Sequence, residues 1–373
     1  MKLSIAKSEL QKGLARIQAI VDKRNSMPIL ANVMIEATEE GSGSLQISAT
    51  DLEVGIRSRQ DADVSEPGGL TVSAKTLYEI VRELPDETVH LESTANSFLL
   101  IQCERSHFKL AGTSPEEYPT LPDFSPQNTV TVPSNVLAVM IERTMYAAST
   151  DETRYNLNGV YLEVDSGTNQ LRLVATDGHR LAMVENEIPG ELSALQSGVI
   201  IPRKGLAELK RLLDEDMVDE IDLAFEGNSG LARGGEVTLV MRLIEGEFPN
   251  YQQVIPGEST VQVIVDSEKL SRALRRVVLL SSQRSRAVKL ELGEHKLTVS
   301  SNNPDMGDAR DELDSDYAGE AISIGFNARY MLDALAALQV KEVWLGLNSD
   351  LSPAKVKPTN DEGALAVVMP MRL

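Results

Sequence analysis

Four histidines, a single cysteine and 56 carboxylates are the side chains from which this sequence could build reactive chemistry, and their spacing builds none. His90, His107, His179 and His295 are scattered, and no two stand at a metal-ligand spacing. Cys103 is alone, which excludes an internal disulfide and a cysteine-rich zinc site; it reads as a small buried apolar residue in a reducing cytosol. There is no phosphate-cradling GxxxxGK, no GxSxG nucleophile elbow, no HExxH, no dinucleotide-binding glycine run and no EF-hand spacing. Asp214, Glu215 and Asp216 read as a solvated loop. Neither a catalytic residue nor a metal or cofactor is expected. An enzyme would need carboxylates converging in a cleft from distant parts of the chain.

What remains is the chemistry of recognition. In ATDGHRLA at 175–182, Asp177 and Gly178 form a favoured two-residue hairpin turn between strands of alternating apolar pattern. The turn explains those two residues and leaves His179 and Arg180 without a structural reason. The second oddity is VVMPMRL from Val367, where two methionines around Pro370 offer an adaptable apolar surface. A final edge strand that fills a core is the plainer reading of that segment.

The elements that position these residues recur along the chain. LQISATD, LRLVATD and LTVSSNN begin at Leu45, Leu171 and Leu297, two steps of 126 residues, and 126 residues is the length of a domain rather than of a solenoid turn. At the hairpin position repeat one has TDLEV and repeat three SNNPD, so the fold does not itself demand His179 and Arg180. Each repeat opens with a strand leading into an amphipathic helix, from Leu3, Val130 and Val263, with Ser8, Ser134 and Ser267 at the expected helix N-caps. A strand, helix and strand follow from Val72, Ile201 and Ile324. A proline-marked strand closes each repeat, at Pro119, Pro249 and Pro370. No apolar run approaches the roughly 20 residues of a membrane helix, so neither export nor membrane anchoring is expected and the protein reads as cytoplasmic.

Charge is distributed by element. The formal charge of −20 argues against a nucleic-acid binder, yet six helix windows (7–24, 75–83, 135–147, 203–213, 267–286 and 328–339) hold 19 of the 36 Lys and Arg and only 8 of the 56 acids. Lys and Arg are good helix formers, which alone allows a solvated helix face. Repeated like domains that close into a ring would instead turn this basic face inward, as sequence-independent phosphate contacts require.

These residues carry a family resemblance. ATDGHRLA, PRKG at 202–205, RYNLNG at 154–159, GFN at 325–327 and the terminal VVMPMRL resemble the bacterial sliding-clamp family, the beta subunits of the DNA polymerase III holoenzyme, and the resemblance spans all three repeats. It implies an α+β DNA clamp fold: three tandem repeats, 1–127, 128–257 and 258–373, each with two helices packed on antiparallel sheets, joined as a head-to-tail homodimer into a ring around duplex DNA. It implies no catalysis. Such a clamp tethers the polymerase, so processivity comes from topology and effective concentration. The alternatives are an acidic enzyme and a peptide-binding scaffold that forms no ring.

The resemblance also implies sites. A partner-peptide pocket would be walled by Leu157, Thr176, Gly178, His179, Arg180, Leu181, Pro249, Val254, Val367, Met369, Pro370, Met371 and Arg372, with Asn327 and Tyr330 at its rim. Its partners would be the DNA polymerase III alpha subunit, the clamp-loader delta subunit, and other polymerases and repair proteins carrying short peptide motifs. Gln252 and Gln253 stand where relatives often carry arginine, and Pro353 where serine is common. DNA contacts would come from Arg24, Arg154, Tyr155, Arg203 and Lys204. At the dimer seam Phe108 and Leu110 would meet Leu279 and Leu280, with Lys75, Arg105 and His107 facing Asp305, Asp308, Asp311 and Glu312.

Overall fold

Helix α1 (Lys7–Ile17) buries Leu10, Gly13, Leu14 and Ile17, an apolar stripe at steps of three and four residues. The same logic makes α2 (Ala74–Glu83), α3 (Ser134–Met145), α4 (Arg203–Glu215), α5 (Ser267–Val277) and α6 (Ala328–Leu338). In α5 the inward stripe is Leu270, Ala273, Leu274 and Val277, while Lys269, Arg272, Arg275 and Arg276 are exposed. The computed structural model describes residues 1–21, 27–39, 43–123, 129–165, 168–189, 192, 195, 198–215 and 218–372.

The helix windows overran at two ends. α1 stops at Ile17, where Gln18 N–H bonds back to Ala15 O and Gln18 Nε2 to Leu14 O; Lys23 and Arg24 lie outside the described residues. α5 stops at Val277 and tightens into a 3-10 turn, Val278–Leu280, closed by Ser281 Oγ on Val278 O at 2.8 Å. Arg284 and Arg286 therefore stand beyond the helix. The caps also fall earlier than expected, by one residue in α5 and two in α1. α5 is capped by Asp266, whose carboxylate accepts the Lys269 N–H at 2.8 Å, and Ser267 is the first helical residue. α1 follows Ala6 with no side-chain cap, Ser8 lying inside it, and Ser134 opens α3 with its hydroxyl buried and unpaired.

Two compact units result, Met1–Ser134 with Ala207–Leu243, and Asn135–Leu206 with Ile244–Leu373. The first holds a 13-stranded antiparallel sheet in which Val237–Arg242, from repeat two, pairs with Val54–Asp61 of repeat one. The second holds an eight-stranded sheet, where Arg180–Glu187 pairs with Ala364–Val368 of repeat three, and a four-stranded sheet edged by Gly307–Asp314. Sheets thus run across the borders of the sequence repeats. Of the three proline-marked segments only the last joins a strand: Pro119 and Pro249 sit in irregular connections flanked by short 3-10 turns, because proline has no N–H to give a ladder. No helix among the described residues is long and apolar enough to cross a membrane.

Candidate functional site

The hairpin carrying His179 begins where Thr176 pairs with Leu181. Its connection is four residues long rather than the expected two, because side chains close it. Thr176 Oγ1 donates to Arg180 O at 2.7 Å and accepts from Gly178 N at 3.1 Å. Asp177 Oδ1 accepts the N–H groups of His179 and Arg180 at 2.9 and 3.0 Å. The path requires φ +86° at residue 178, which glycine adopts without strain.

Arg180 is anchored on every side. Nε meets Asp177 at 3.1 Å, Nη1 meets Asp333 of α6 at 2.5 Å, Nη2 donates to Tyr146 O at 2.7 Å, and the guanidinium lies 4.7 Å from the Tyr330 ring centroid. Arg180 thus ties the repeat-two hairpin to a repeat-three helix. Burial pushes the hydroxyls of Tyr146 and Tyr330 above the ordinary tyrosine range, which keeps both neutral beside it. His179 is exposed and stacks on Tyr330, with centroids 6.2 Å apart and planes 13° from parallel.

The terminal segment reaches the same place. Met369 N–H bonds to His179 O at 2.9 Å and Met371 N–H to Gly325 O at 2.8 Å, leaving the side chains of Met369, Pro370 and Met371 half-buried and Arg372 exposed. Beneath lie Val174, Leu181, Tyr251, Leu365 and Val367, a buried apolar cluster covered by Phe248 and Ile255 of the connecting segment, with Tyr161 and Met183 packed beside them. Pro249 and Val254, on that same segment, are exposed. Tyr251 is held by Arg172 Nη1, which donates to its hydroxyl at 3.1 Å, and by donating to Glu163; burial raises its pKa to about 12. Leu157 is buried at the end of a 3-10 turn, its carbonyl bonded to Ser149 N–H. Thr176, Gly178, His179, Arg180, Leu181, Val367, Met369, Asn327 and Tyr330 are therefore assembled from three separate stretches of chain.

Beside the hairpin is a cavity of about 620 Å³ lined by His179, Arg180, Asn327 and Tyr330 and by Arg154, Arg203, Arg284, Arg286 and Arg329, with Asp151, Asp177 and Asp333. It joins residues expected at the peptide pocket to two expected at DNA. Arg154 Nη1 reaches Asp177 O at 3.3 Å and Arg203 Nη1 reaches Ser149 O at 3.4 Å, while Tyr155 is 60% exposed and Lys204 is exposed. Arg24 lies outside the described residues. Sequence reasoning missed Tyr146 and Asp333. Asp333 is the single acid of α6, and that was its only signal.

Most of the polar residues expected at a dimer seam lie on or beside two sheet edges. The strand Ser106–Thr113 pairs on one side with Phe98–Cys103 and on the other only through Gly112 and Thr113, so His107, Phe108 and Leu110 lie on an open stretch beside Arg105. Gly307–Asp314 is open on one side, carrying Asp308, Asp311 and Glu312, with Asp305 in the preceding turn. Leu279 is 71% exposed and Leu280 half-buried in the 3-10 turn. Within the chain Asp311 pairs with Arg276, Glu312 with Lys296 and Arg310, and Lys75 with Glu79. Among the described residues no group of His, Cys, Asp and Glu is arranged to hold a metal.

Known proteins match this arrangement along its whole length. The DNA polymerase III beta subunit N-terminal domain matches residues 1–122, its central domain 131–250 and its C-terminal domain 252–372. The beta sliding clamp of Caulobacter vibrioides is 37% identical, with all of both chains covered. The crystal structure of the Caulobacter crescentus beta sliding clamp superposes with a TM-score of 0.93 at 37% identity, and that of the Bartonella birtlesii sliding clamp bound to griselimycin with 0.93 at 36%, each over the whole of both chains. With three domain matches in order and relatives above 30% identity over every residue, this chain belongs to the DNA polymerase III beta subunit family.

Proposed function

We propose that two copies of this chain join head to tail into a ring that encircles duplex DNA, and that the hairpin site docks the replication proteins it tethers. The family is one of sliding clamps, non-catalytic processivity subunits, and membership leaves the acidic-enzyme and open-scaffold readings without support. The observation that carries the ring is a pair of open strand edges of opposite charge. Arg105, His107 and Lys109 mark one; Asp305, Asp308, Asp311 and Glu312 mark the other, where Arg310 is the exception. Unpaired edges invite a further strand, and a heterologous contact closes when its rotation permits. Phe108 and Leu110 against Leu279 and Leu280 would supply the apolar part of the seam, and Lys75 the rim.

Six domains of this kind, bounded at 1–127, 128–257 and 258–373 in each chain, give the ring a helical lining; the family domains at 1–122, 131–250 and 252–372 support those limits. Arg24, Arg154, Tyr155, Arg203 and Lys204 contact phosphate without sequence preference. The groove takes short peptide segments of the polymerase III alpha subunit, the clamp-loader delta subunit, other polymerases and repair proteins. Support comes from the Met369 N–H bond to His179 O, and from griselimycin bound to the Bartonella clamp. A single buried cysteine fits a cytoplasmic protein. Light-scattering mass with small-angle scattering tests the ring: twice 40.7 kDa with a hollow distance distribution is expected, and a solid monomer at micromolar concentration overturns it.

A further inference from the structure

The basic cavity beside the hairpin contains charge that the fold does not use. Arg180 is matched by Asp177 and Asp333. Asp151 accepts from the backbone and hydroxyl of Thr153, which hold its carboxyl below the usual range. Arg284 and Arg286 have no side-chain hydrogen bond or ion pair among the described residues, and both are exposed.

Arg286 is also held in an unfavourable conformation. Its φ is +47°, where a side chain costs about 1 kcal/mol and glycine nothing comparable. The backbone pins it there: its N–H bonds to Ser282 O at 2.7 Å and its carbonyl accepts the Ala328 N–H at 2.9 Å. Glycine would satisfy that path more easily, so packing and backbone geometry do not account for arginine at this position.

We infer that this cavity is an anion-binding annex of the docking groove, in which Arg284 and Arg286 receive acidic side chains that flank the apolar anchors of a docked segment. The inference rests on the docking reading above. Continuity supports it, since His179, Asn327 and Tyr330 belong to both the groove rim and the cavity wall. Charge supports it as well: Arg284 and Arg286 lie there with no carboxylate paired to them among the described residues, beside Arg154 and Arg203, which reach the Asp177 and Ser149 carbonyls. A recess of this size accepts side chains from a flexible segment, which distinguishes it from a flat phosphate-tracking surface. The annex would select, among docking segments of equal apolar content, those with aspartate or glutamate beside the anchors.

The test uses the full chain and three labelled peptides that share one apolar core and are displaced by griselimycin. The flanking residues on both sides are aspartates, serines or lysines. By fluorescence anisotropy at low salt the aspartate peptide should bind about fivefold tighter than the serine peptide, and the lysine peptide weaker still. The preference should vanish in Arg284→Ala with Arg286→Gly, a pair that leaves the backbone path intact, while the serine peptide keeps its affinity. Equal binding of all three peptides to the unaltered protein overturns the annex and spares the groove. A variant that loses duplex binding while retaining the aspartate preference assigns the arginines to DNA phosphate and also overturns it. Failure of every peptide to bind removes the groove and the annex together.

Discussion

The hairpin at Thr176 has a twin at Thr50, and the two differ only in what they display. Thr50 Oγ1 donates to Val54 O at 3.0 Å and accepts from Leu52 N–H at 3.0 Å; Asp51 Oδ1 accepts from Glu53 and Val54 N–H at 2.9 and 2.8 Å. Arg242 N–H bonds to Glu53 O at 2.8 Å, as Met369 N–H does to His179 O at 2.9 Å. Gly55 pairs with Val240 as Leu181 pairs with Val367. The backbone pattern is repeated bond for bond. Leu52, Glu53, Val54, Gly55 and Arg242 replace Gly178, His179, Arg180, Leu181 and Met369. In the first unit Leu121 of the connecting segment packs over Ala224, Leu231 and Val240, so close to Gly55 that a Cβ there would collide with it. Both clusters are packed by their own connecting segment, Leu121 in the first unit and Phe248 and Ile255 in the second, but only the second turn bears His179 and lies beside two methionines. Thr and Asp make the turn, and the residues after them make the site.

The largest effect should come from removing the carboxylate common to both turns. Asp51→Ala and Asp177→Ala each strand two N–H groups that bonded to a charged acceptor, about 3 kcal/mol in urea unfolding followed by circular dichroism. The functional outcomes should diverge: affinity for a docking peptide of the kind proposed above is lost with Asp177→Ala and kept with Asp51→Ala. Equal loss of binding in both would mean that the distinction between the twins is only one of stability.

Arg180→Val imports the repeat-one residue into repeat two. Asp333 loses its closest cation, and Tyr146 O loses a donor, costing about 2 kcal/mol because Asp333 keeps some solvent. The double variant Arg180→Val with Asp333→Leu should recover part of this in a double-mutant cycle. Full additivity would show that the ion pair linking hairpin and α6 contributes nothing.

The connecting segments offer a pH comparison. Tyr118, which accepts Thr50 N–H at 3.1 Å and donates to Asn32 O, and Tyr251 are both pushed up to about 12, chiefly by burial. A folded pKa above the unfolded value near 10 means that the native state holds its proton longer. The stabilisation is therefore complete below pH 10 and lost between pH 10 and 12, by up to ~2 kcal/mol for Tyr118. Tyr118→Phe and Tyr251→Phe should each flatten that decline in unfolding free energy.

Much of this organisation was legible in the sequence, for identifiable reasons. The 126-residue period set the three repeats, apolar spacing set six helices, and the mismatch between TDLEV and TDGHR singled out His179 and Arg180. The four-residue turn was not legible, because Asp-Gly reads locally as a two-residue hairpin and only the Thr and Asp side chains widen it. The sheets crossing repeat borders depend on pairings such as Gly55 with Val240, between residues far apart in sequence. Arg180 and Asp333 are 153 positions apart and no periodicity connects them. Arg284 and Arg286 were counted as helix charge, whereas the Ser281 cap on the 3-10 turn sets them at the cavity.

The smallest and most discriminating change exchanges the residue at positive φ, Leu52 at +76° against Gly178 at +86°. Leu52 is 48% exposed and its side chain adds little burial, so Leu52→Gly relieves about 1 kcal/mol of backbone strain and forfeits a similar amount through the freer unfolded chain. Its net effect on stability should be within ~0.5 kcal/mol of zero. Gly178→Leu works against the fold, adding that strain and placing a Cβ 3.0 Å from Arg154 Nη1, which must move. It should destabilise by about 1 kcal/mol and weaken docking-peptide binding at least several-fold by putting a branched side chain at the wall of the proposed groove. If Gly178→Leu leaves docking-peptide affinity unchanged, residue 178 is glycine for its conformation alone, and the difference between the twin turns reduces to His179, Leu181 and the methionines of the terminal segment.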